Sequence, residues 1–160
     1  MKNNLIIMVG IPGSGKSTFA KKNYPDALYV SRDEIRFSFI SKNDEYFSKE
    51  DEVFKTFINK LNEGLKKSQD VIADATHISY GSRSKLLNNL INLDKEKTKV
   101  IAVFLRTPLD VCIERNEKRK GTRSYVPISA IKSMYKYLTK PSFKEYGGIF
   151  DEIHIIEARR

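Results

Sequence analysis

The sequence predicts an α/β fold, a parallel sheet covered by helices, and three observations predict it. Apolar runs alternate with amphipathic stretches along the chain, the pattern of strands joined by crossover helices. The first run, Asn4 to Val9, is short and continuously apolar, as in a central strand buried on both faces. A glycine-rich stretch follows it at once and opens directly into a helical pattern.

Taken in order, Lys16 to Asn23 is the helix that leaves this loop, and Ala27 to Ser31 is a second strand. Asp33 to Ile40 reads as a helix. Ser48 to Lys67 is the longest helical pattern, with Val53, Phe54, Phe57, Ile58, Leu61 and Leu65 on one face. Its start, SKED, puts acidic side chains near the positive end of the helix dipole. Asp70 to Asp74 is a third strand. Ser82 to Leu93 is a helix with Leu86, Leu87, Leu90 and Ile91 inward. Lys99 to Leu105 is a fourth strand, rich in Val and Ile. Pro108 to Lys118 and Pro127 to Leu138 are helices begun by proline, which suits a first turn. The second of these turns Ile128, Ile131, Tyr135 and Leu138 inward. Arg119 to Tyr125 is basic without a hydrophobic period, Lys140 to Gly148 is a turn-rich loop, and Phe150 to Ile156 is the last strand.

The chain has 160 residues and 40% apolar content, enough for one core, so residues 1–160 are expected to form one domain. A single cysteine, Cys112, excludes an internal disulfide and fits a reducing compartment. The N-terminal apolar run is too short for a secretion signal, and no stretch approaches a membrane span. A soluble, cytoplasmic protein is expected. The 29 Lys and Arg against 20 Asp and Glu give a formal charge of +9. That surplus favours polyanionic partners, or simply keeps a lysine-rich surface solvated; composition does not choose between them.

GIPGSGKST, Gly10 to Thr18, matches G-x-x-x-x-G-K-[ST] between a strand and a helix. Gly10, Gly13 and Gly15 permit backbone angles that aim successive amides, including that of Ser14, at phosphate oxygens. The first turn of the next helix completes the anion site. Lys16 is placed for the β- and γ-phosphates, Ser17 for Mg²⁺ and Thr18 for the α-phosphate, so ATP and Mg²⁺ are the expected ligands.

In an open parallel sheet the active crevice lies beyond the carboxyl ends of the strands. Asp33 lies past the second strand and Asp74 closes the third, so both converge on the rim that holds the phosphates. Phosphoryl transfer to a hydroxyl needs a proton acceptor, the role assigned to Asp33, and Asp74 suits the shell of a hydrated Mg²⁺. A helix N-cap is the other reading of Asp33. Arg36, three residues on, projects from the same helix face and suits an acceptor phosphate or, equally, solvent. Thr76 and His77 lie where acceptor contacts would fall, although an ordinary loop histidine is the preferred reading of His77. Arg115, Arg119 and Arg123 recur every fourth residue across residues 115–126, where an arginine-bearing lid would belong. Arg119 and Arg123 are the expected phosphate contacts, with Arg115 able to pack on the base.

The set GIPGSGKST, SRDEIR, VIADAT and RNEKRKGTRSYVPISAIKSMYK resembles the 5′-hydroxyl polynucleotide kinase domain of bacteriophage and related repair enzymes. The resemblance runs from about Lys2 to Tyr137 in the same order. It implies a P-loop kinase three-layer sandwich with five parallel strands in the order 2-3-1-4-5 and an arginine-bearing lid. It also implies Asp33 as general base, Arg36 on the phosphate beside the reacting 5′-hydroxyl, and Arg119 as lid arginine. A nucleic-acid 5′ end, RNA or DNA, is then the expected partner. No phosphatase segment follows, so no 3′-phosphatase activity is expected. Wider relatives with this layout phosphorylate sugars, antibiotics or other small hydroxyl compounds, which makes a small-molecule kinase the second reading. A non-catalytic nucleotide switch is the third, and Asp33 argues against it.

Overall fold

The computed structural model describes residues 1–41 and 43–157. Five strands form one parallel sheet: β1 (Asn3–Val9), β2 (Leu28–Ser31), β3 (Val71–Asp74), β4 (Thr98–Arg106) and β5 (Glu152–Glu157). Their order is β2-β3-β1-β4-β5, as the resemblance implied. Between them lie α1 (Lys16–Asn23), α2 (Arg32–Phe39), α3 (Glu50–Lys66), α4 (Tyr80–Asn89), α5 (Leu109–Glu117) and α6 (Ile128–Tyr137).

Strand periodicity divides the core into two layers. Leu5, Ile7 and Val9 face one side with Val53, Phe57, Leu61 and Leu65 of α3 and Leu86 and Leu87 of α4. Ile6 and Met8 face the other with Ala20 of α1 and Ile101, Val103 and Leu105 of β4. Both sides of β1 are therefore dry, which is why its sequence is apolar without alternation. A third cluster, Ile11, Cys112, Val126 and Ile131, seats α5 and α6 against the glycine-rich loop.

Register positions the chemistry. Met8 and Ser31 both pair with Asp74, so β1, β2 and β3 end level at the carboxyl edge of the sheet. The three loops that leave this edge begin side by side.

Some boundaries differ from expectation, with local causes. Ser48 does not open α3; its hydroxyl donates to the Glu45 carbonyl at 2.8 Å, and the helix begins at Glu50. α4 starts earlier, at Tyr80, through a capping box between Ser79 and Ser82. It also ends earlier, at Asn89. The buried Asn62 amide donates to the Asn89 carbonyl at 3.0 Å and accepts from the Asn92 amide at 3.2 Å, turning the chain away. Ile91, expected inward, is consequently 83% exposed. Tyr135 is also exposed, because only Ile131 of α6 is fully covered. Among the described residues, no helix is long and apolar enough to cross a membrane.

Candidate active site

The loop from Gly10 to Thr18 is shaped by its neighbours. Gly13 and Gly15 adopt φ of 84° and 91°, and a Cβ on Gly13 would lie 2.6 Å from the Cys112 carbonyl oxygen. Only glycine fits there. Thr107 donates to the Ser14 carbonyl at 2.8 Å and Arg115 to the Gly13 carbonyl at 3.0 Å, which pins the loop from the α5 side. α1 has no side-chain cap and no acidic residue in its first turn, so its leading amides are left for an anion. Lys16 is buried at the same point. These features fit a bound polyphosphate.

Asp74 is 3% exposed. Its Oδ2 accepts from the Ser17 hydroxyl at 2.6 Å and from the Tyr29 hydroxyl. Its Oδ1 is buried with no protein partner among the described residues. A buried carboxylate oxygen normally finds a donor, so this orphan beside Ser17 fits the hydrated shell of Mg²⁺. Tyr29 holds the carboxylate in that orientation. Burial and then Asp74 raise the Tyr29 phenol well above its ordinary pKa, so it stays a neutral donor.

On the other side of Lys16 lies a cleft lined by Pro12, Arg32, Asp33, Arg36, Tyr46, Phe47, Glu50, Ala75, Thr76, Val126 and Met134. The capping alternative for Asp33 is resolved here: Ser31 caps α2, its hydroxyl accepting from the Glu34 amide at 3.2 Å. Asp33 is freed of that duty, and its side chain is 51% exposed. Its Oδ1 accepts from Arg36 and from the Tyr46 hydroxyl at 3.0 Å.

Arg36, by contrast, is enclosed. Glu50 grips it with two bonds of 2.7 Å, and its guanidinium lies 4.6 Å from the Tyr46 ring centroid and 5.5 Å from that of Phe47. It makes four hydrogen bonds, to Glu50, Asp33 and Tyr46, which leaves one of the five guanidinium hydrogens without a partner among the described residues. Burial opposes its charge, but Glu50 and its other partners outweigh that and raise its pKa. Glu50 is raised by burial and lowered more strongly by Arg36, so both remain ionised.

The arginines of residues 115–126 divide between two places. Arg115 and Arg119 line a second cleft with Ser14, Gly15, Thr18 and Phe19. Arg123 does not line that cleft. It reaches α2, donating to the Phe37 carbonyl at 3.0 Å with its guanidinium 5.7 Å from the Phe37 ring centroid. Carbonyl and ring together hold it against α2.

Thr76 lines the cleft with Asp33 and Arg36, and its carbonyl accepts from the Gly10 amide at 3.0 Å. His77 does not line it. His77 is 5% exposed, has φ of 44°, and its Nδ1–H donates to the Met8 carbonyl at 2.8 Å. Burial, reinforced by Arg32, Lys16 and Arg83, pushes its pKa down to about 4, against a partial opposing effect of the Met8 carbonyl. Below pH 6.5 the unfolded chain takes up a proton here that the folded chain refuses until about pH 4. The stabilisation is thus complete above pH 6.5 and lost as pH falls toward 4. Wild-type unfolding free energy should drop by about 3 kcal/mol more across this window than that of His77→Gln. Parallel urea titrations of the two proteins check it; equal slopes with pH would contradict it.

Arg83 and Glu145 were not singled out by sequence and form a buried pair, 1% and 8% exposed at their side chains. Arg83 meets Glu145 at 2.7 and 3.0 Å, the His77 carbonyl at 2.8 Å, and the Thr139 carbonyl and hydroxyl at 3.1 and 3.0 Å. All five donors are used. The pair ties the loop after α6 to the loop that carries Thr76.

The sequence profile of the AAA domain matches residues 5–141. An L-seryl-tRNA(Sec) kinase from Methanococcus maripaludis is 33% identical over 149 residues, covering 88% of this chain and 54% of that protein. The chain thus spans about half the length of the curated relative it matches. A chain in the structure of the Pnkp1/Rnl/Hen1 RNA repair complex superposes with a TM-score of 0.70 at 28% identity, over 86% of this chain and 44% of that one. A gluconokinase from Sinorhizobium meliloti 1021 superposes with a TM-score of 0.58 at 16% identity, over 98% of this chain and 83% of that one. At that identity the likeness shows the fold alone. With the profile matched over most of its length and a P-loop kinase sheet order, the chain belongs to the AAA domain family and is built as a P-loop kinase.

Proposed function

We propose that the protein transfers the γ-phosphate of ATP to the 5′-hydroxyl of a polynucleotide. The observation that supports this most is Asp33: a half-exposed carboxylate, relieved of capping by Ser31, in the same cleft as Lys16 and braced by Arg36.

The glycine-rich loop and the first turn of α1 hold the β- and γ-phosphates, with Lys16 neutralising their charge. Mg²⁺, held by Ser17 and through water by Asp74, would neutralise charge on the phosphate oxygens. Asp33 Oδ2, which has no protein partner among the described residues, accepts the acceptor's proton as its oxygen bonds to phosphorus and the bond to ADP breaks. Arg119 faces the phosphates from the α5 side and stabilises the moving charge. Arg36 orients Asp33 through Nη1 and offers its remaining hydrogen to the phosphate beside the reacting hydroxyl. Thr76 supplies a wall of the acceptor cleft.

This reading separates a polynucleotide end from a simple hydroxyl compound. A nucleoside 3′-phosphate should be a better acceptor than the nucleoside. Arg36→Gln should erase most of that preference, roughly 10- to 100-fold for one lost charge-assisted hydrogen bond. The measurement is the ratio of kcat/KM for the two acceptors in wild type and variant. No wild-type preference would favour the small-molecule reading, and a preference untouched by Arg36→Gln would remove Arg36 from the acceptor site.

A further inference from the structure

We propose that the outer face of α6 and the loop after it track the single-stranded nucleic acid behind the acceptor end; this rests on the 5′-hydroxyl reading and extends it beyond the reacting nucleotide. Charge segregation carries the inference. Lys118 to Lys144 contains eight of the 29 Lys and Arg and none of the 20 Asp and Glu, so these 27 residues hold +8 of the formal +9. The rest of the chain is nearly neutral.

Elsewhere on the surface some lysines meet carboxylates, Lys67 with Glu63, Lys95 with Asp151 and Lys99 with Glu152, and others such as Lys22, Lys55 and Lys60 make no ion pair among the described residues; what sets this stretch apart is that it holds no carboxylate at all. Lys132, Lys136, Lys140 and Lys144 are exposed and, among the described residues, make no ion pair. The first two are neighbours one turn apart on α6, and the other two lie in the loop that follows it.

Aromatic rings interrupt this basic row. Tyr137 and Phe143 are 59% and 58% exposed. Keeping lysines in water needs no aromatic surface, whereas stacking unpaired bases does. Helix α6 borders the acceptor cleft through Met134, with Tyr137 three residues on along the same side, while Lys132 and Lys136 project from the side facing away from the cleft. The loop is anchored as well, since the buried Arg83–Glu145 pair begins at the residue after Lys144. A membrane fits less well, because an interfacial helix inserts its apolar face and Ile131 of α6 is already fully buried in the protein.

The test is fluorescence anisotropy with labelled 5′-hydroxyl strands of about 4 and about 16 nucleotides, the span of common single-strand sites. The variants are the quadruple K132Q/K136Q/K140Q/K144Q, Tyr137→Ala and Phe143→Ala, each checked for folding by thermal melting. The quadruple variant should bind the long strand about 10-fold or more weakly, with a salt slope shallower by about 3, four contacts at about 0.7 each. Its affinity for the short strand should be little changed. Each aromatic variant should lose about 5-fold or more for the long strand. Wild-type affinity and salt slope in the folded quadruple variant would overturn the proposal, as would binding to phosphatidylserine vesicles without binding to either strand. Strand binding that needs the four lysines, in a protein that labels no 5′-hydroxyl, would sustain the surface and overturn the kinase reading. Equal labelling of a short acceptor by both proteins, with no change in long-strand affinity, would do the reverse.

Discussion

Replacing Asp33 by alanine should lower phosphoryl transfer by roughly 10²- to 10⁴-fold, the range of a lost general base, while nucleotide affinity changes by no more than about 2-fold. The separation follows from where the side chain sits. Asp33 lines the cleft proposed for the acceptor, whereas Ser14, Gly15, Thr18, Arg115 and Arg119 line the second cleft. Helix α2 keeps its Ser31 cap in the variant, and Arg36 keeps both bonds to Glu50. Lys16 shares the cleft with Asp33 but no hydrogen bond or ion pair joins the two among the described residues, so the loss should fall on transfer rather than on nucleotide binding. Asp33→Asn, which preserves shape and an acceptor for Arg36 but not basicity, should be nearly as impaired. Single-turnover transfer and ATP binding by calorimetry measure the two halves. A large loss of ATP affinity in Asp33→Ala would place this carboxylate on the nucleotide instead.

Arg83→Ala should destabilise the fold by about 3–5 kcal/mol, because it leaves Glu145 buried without its counter-charge and three backbone and side-chain acceptors unpaired. For a chain of this size that is a fall in melting temperature of roughly 6–20 °C. The double variant Arg83→Met with Glu145→Gln removes both charges and should recover a large part of the loss. Denaturant unfolding of the three proteins checks this. A single variant within about 1 kcal/mol of wild type would show the pair to be dispensable.

The most local features were the most legible. β1 and the glycine-rich loop read correctly because each depends on neighbours in the chain: an apolar run buried on both faces, then glycines where a Cβ meets Cys112. Asp33 was legible as a candidate, but whether it capped α2 turned on one hydroxyl, and Ser31 took that role. The partners of the site residues were not legible. Glu50 lies 14 residues from Arg36, and its SKED context reads only as helix-start chemistry until α3 packs on α2. Tyr29 meets Asp74 across two adjacent strands, which requires their register. Arg83 and Glu145 are 62 residues apart and look like two ordinary surface charges. Ile91 failed for the same reason, since the residue that ends α4 is Asn62, on another helix. The spacing of Arg115, Arg119 and Arg123 paired Arg119 with Arg123 as phosphate contacts, yet the turn after α5 sends Arg123 to α2 and leaves Arg119 beside Arg115. Periodicity reports which face is buried; it does not report which buried polar atoms meet.

The central claim is tested most directly by offering γ-labelled ATP and Mg²⁺ to the full chain with a 5′-hydroxyl oligonucleotide, across a range of salt. Label should appear at the 5′ end in wild type, vanish in Asp33→Ala, and fail to appear on an oligonucleotide that already carries a 5′-phosphate. Labelling of nucleosides or sugars with none on any oligonucleotide, at any salt or Mg²⁺ level, would contradict the account.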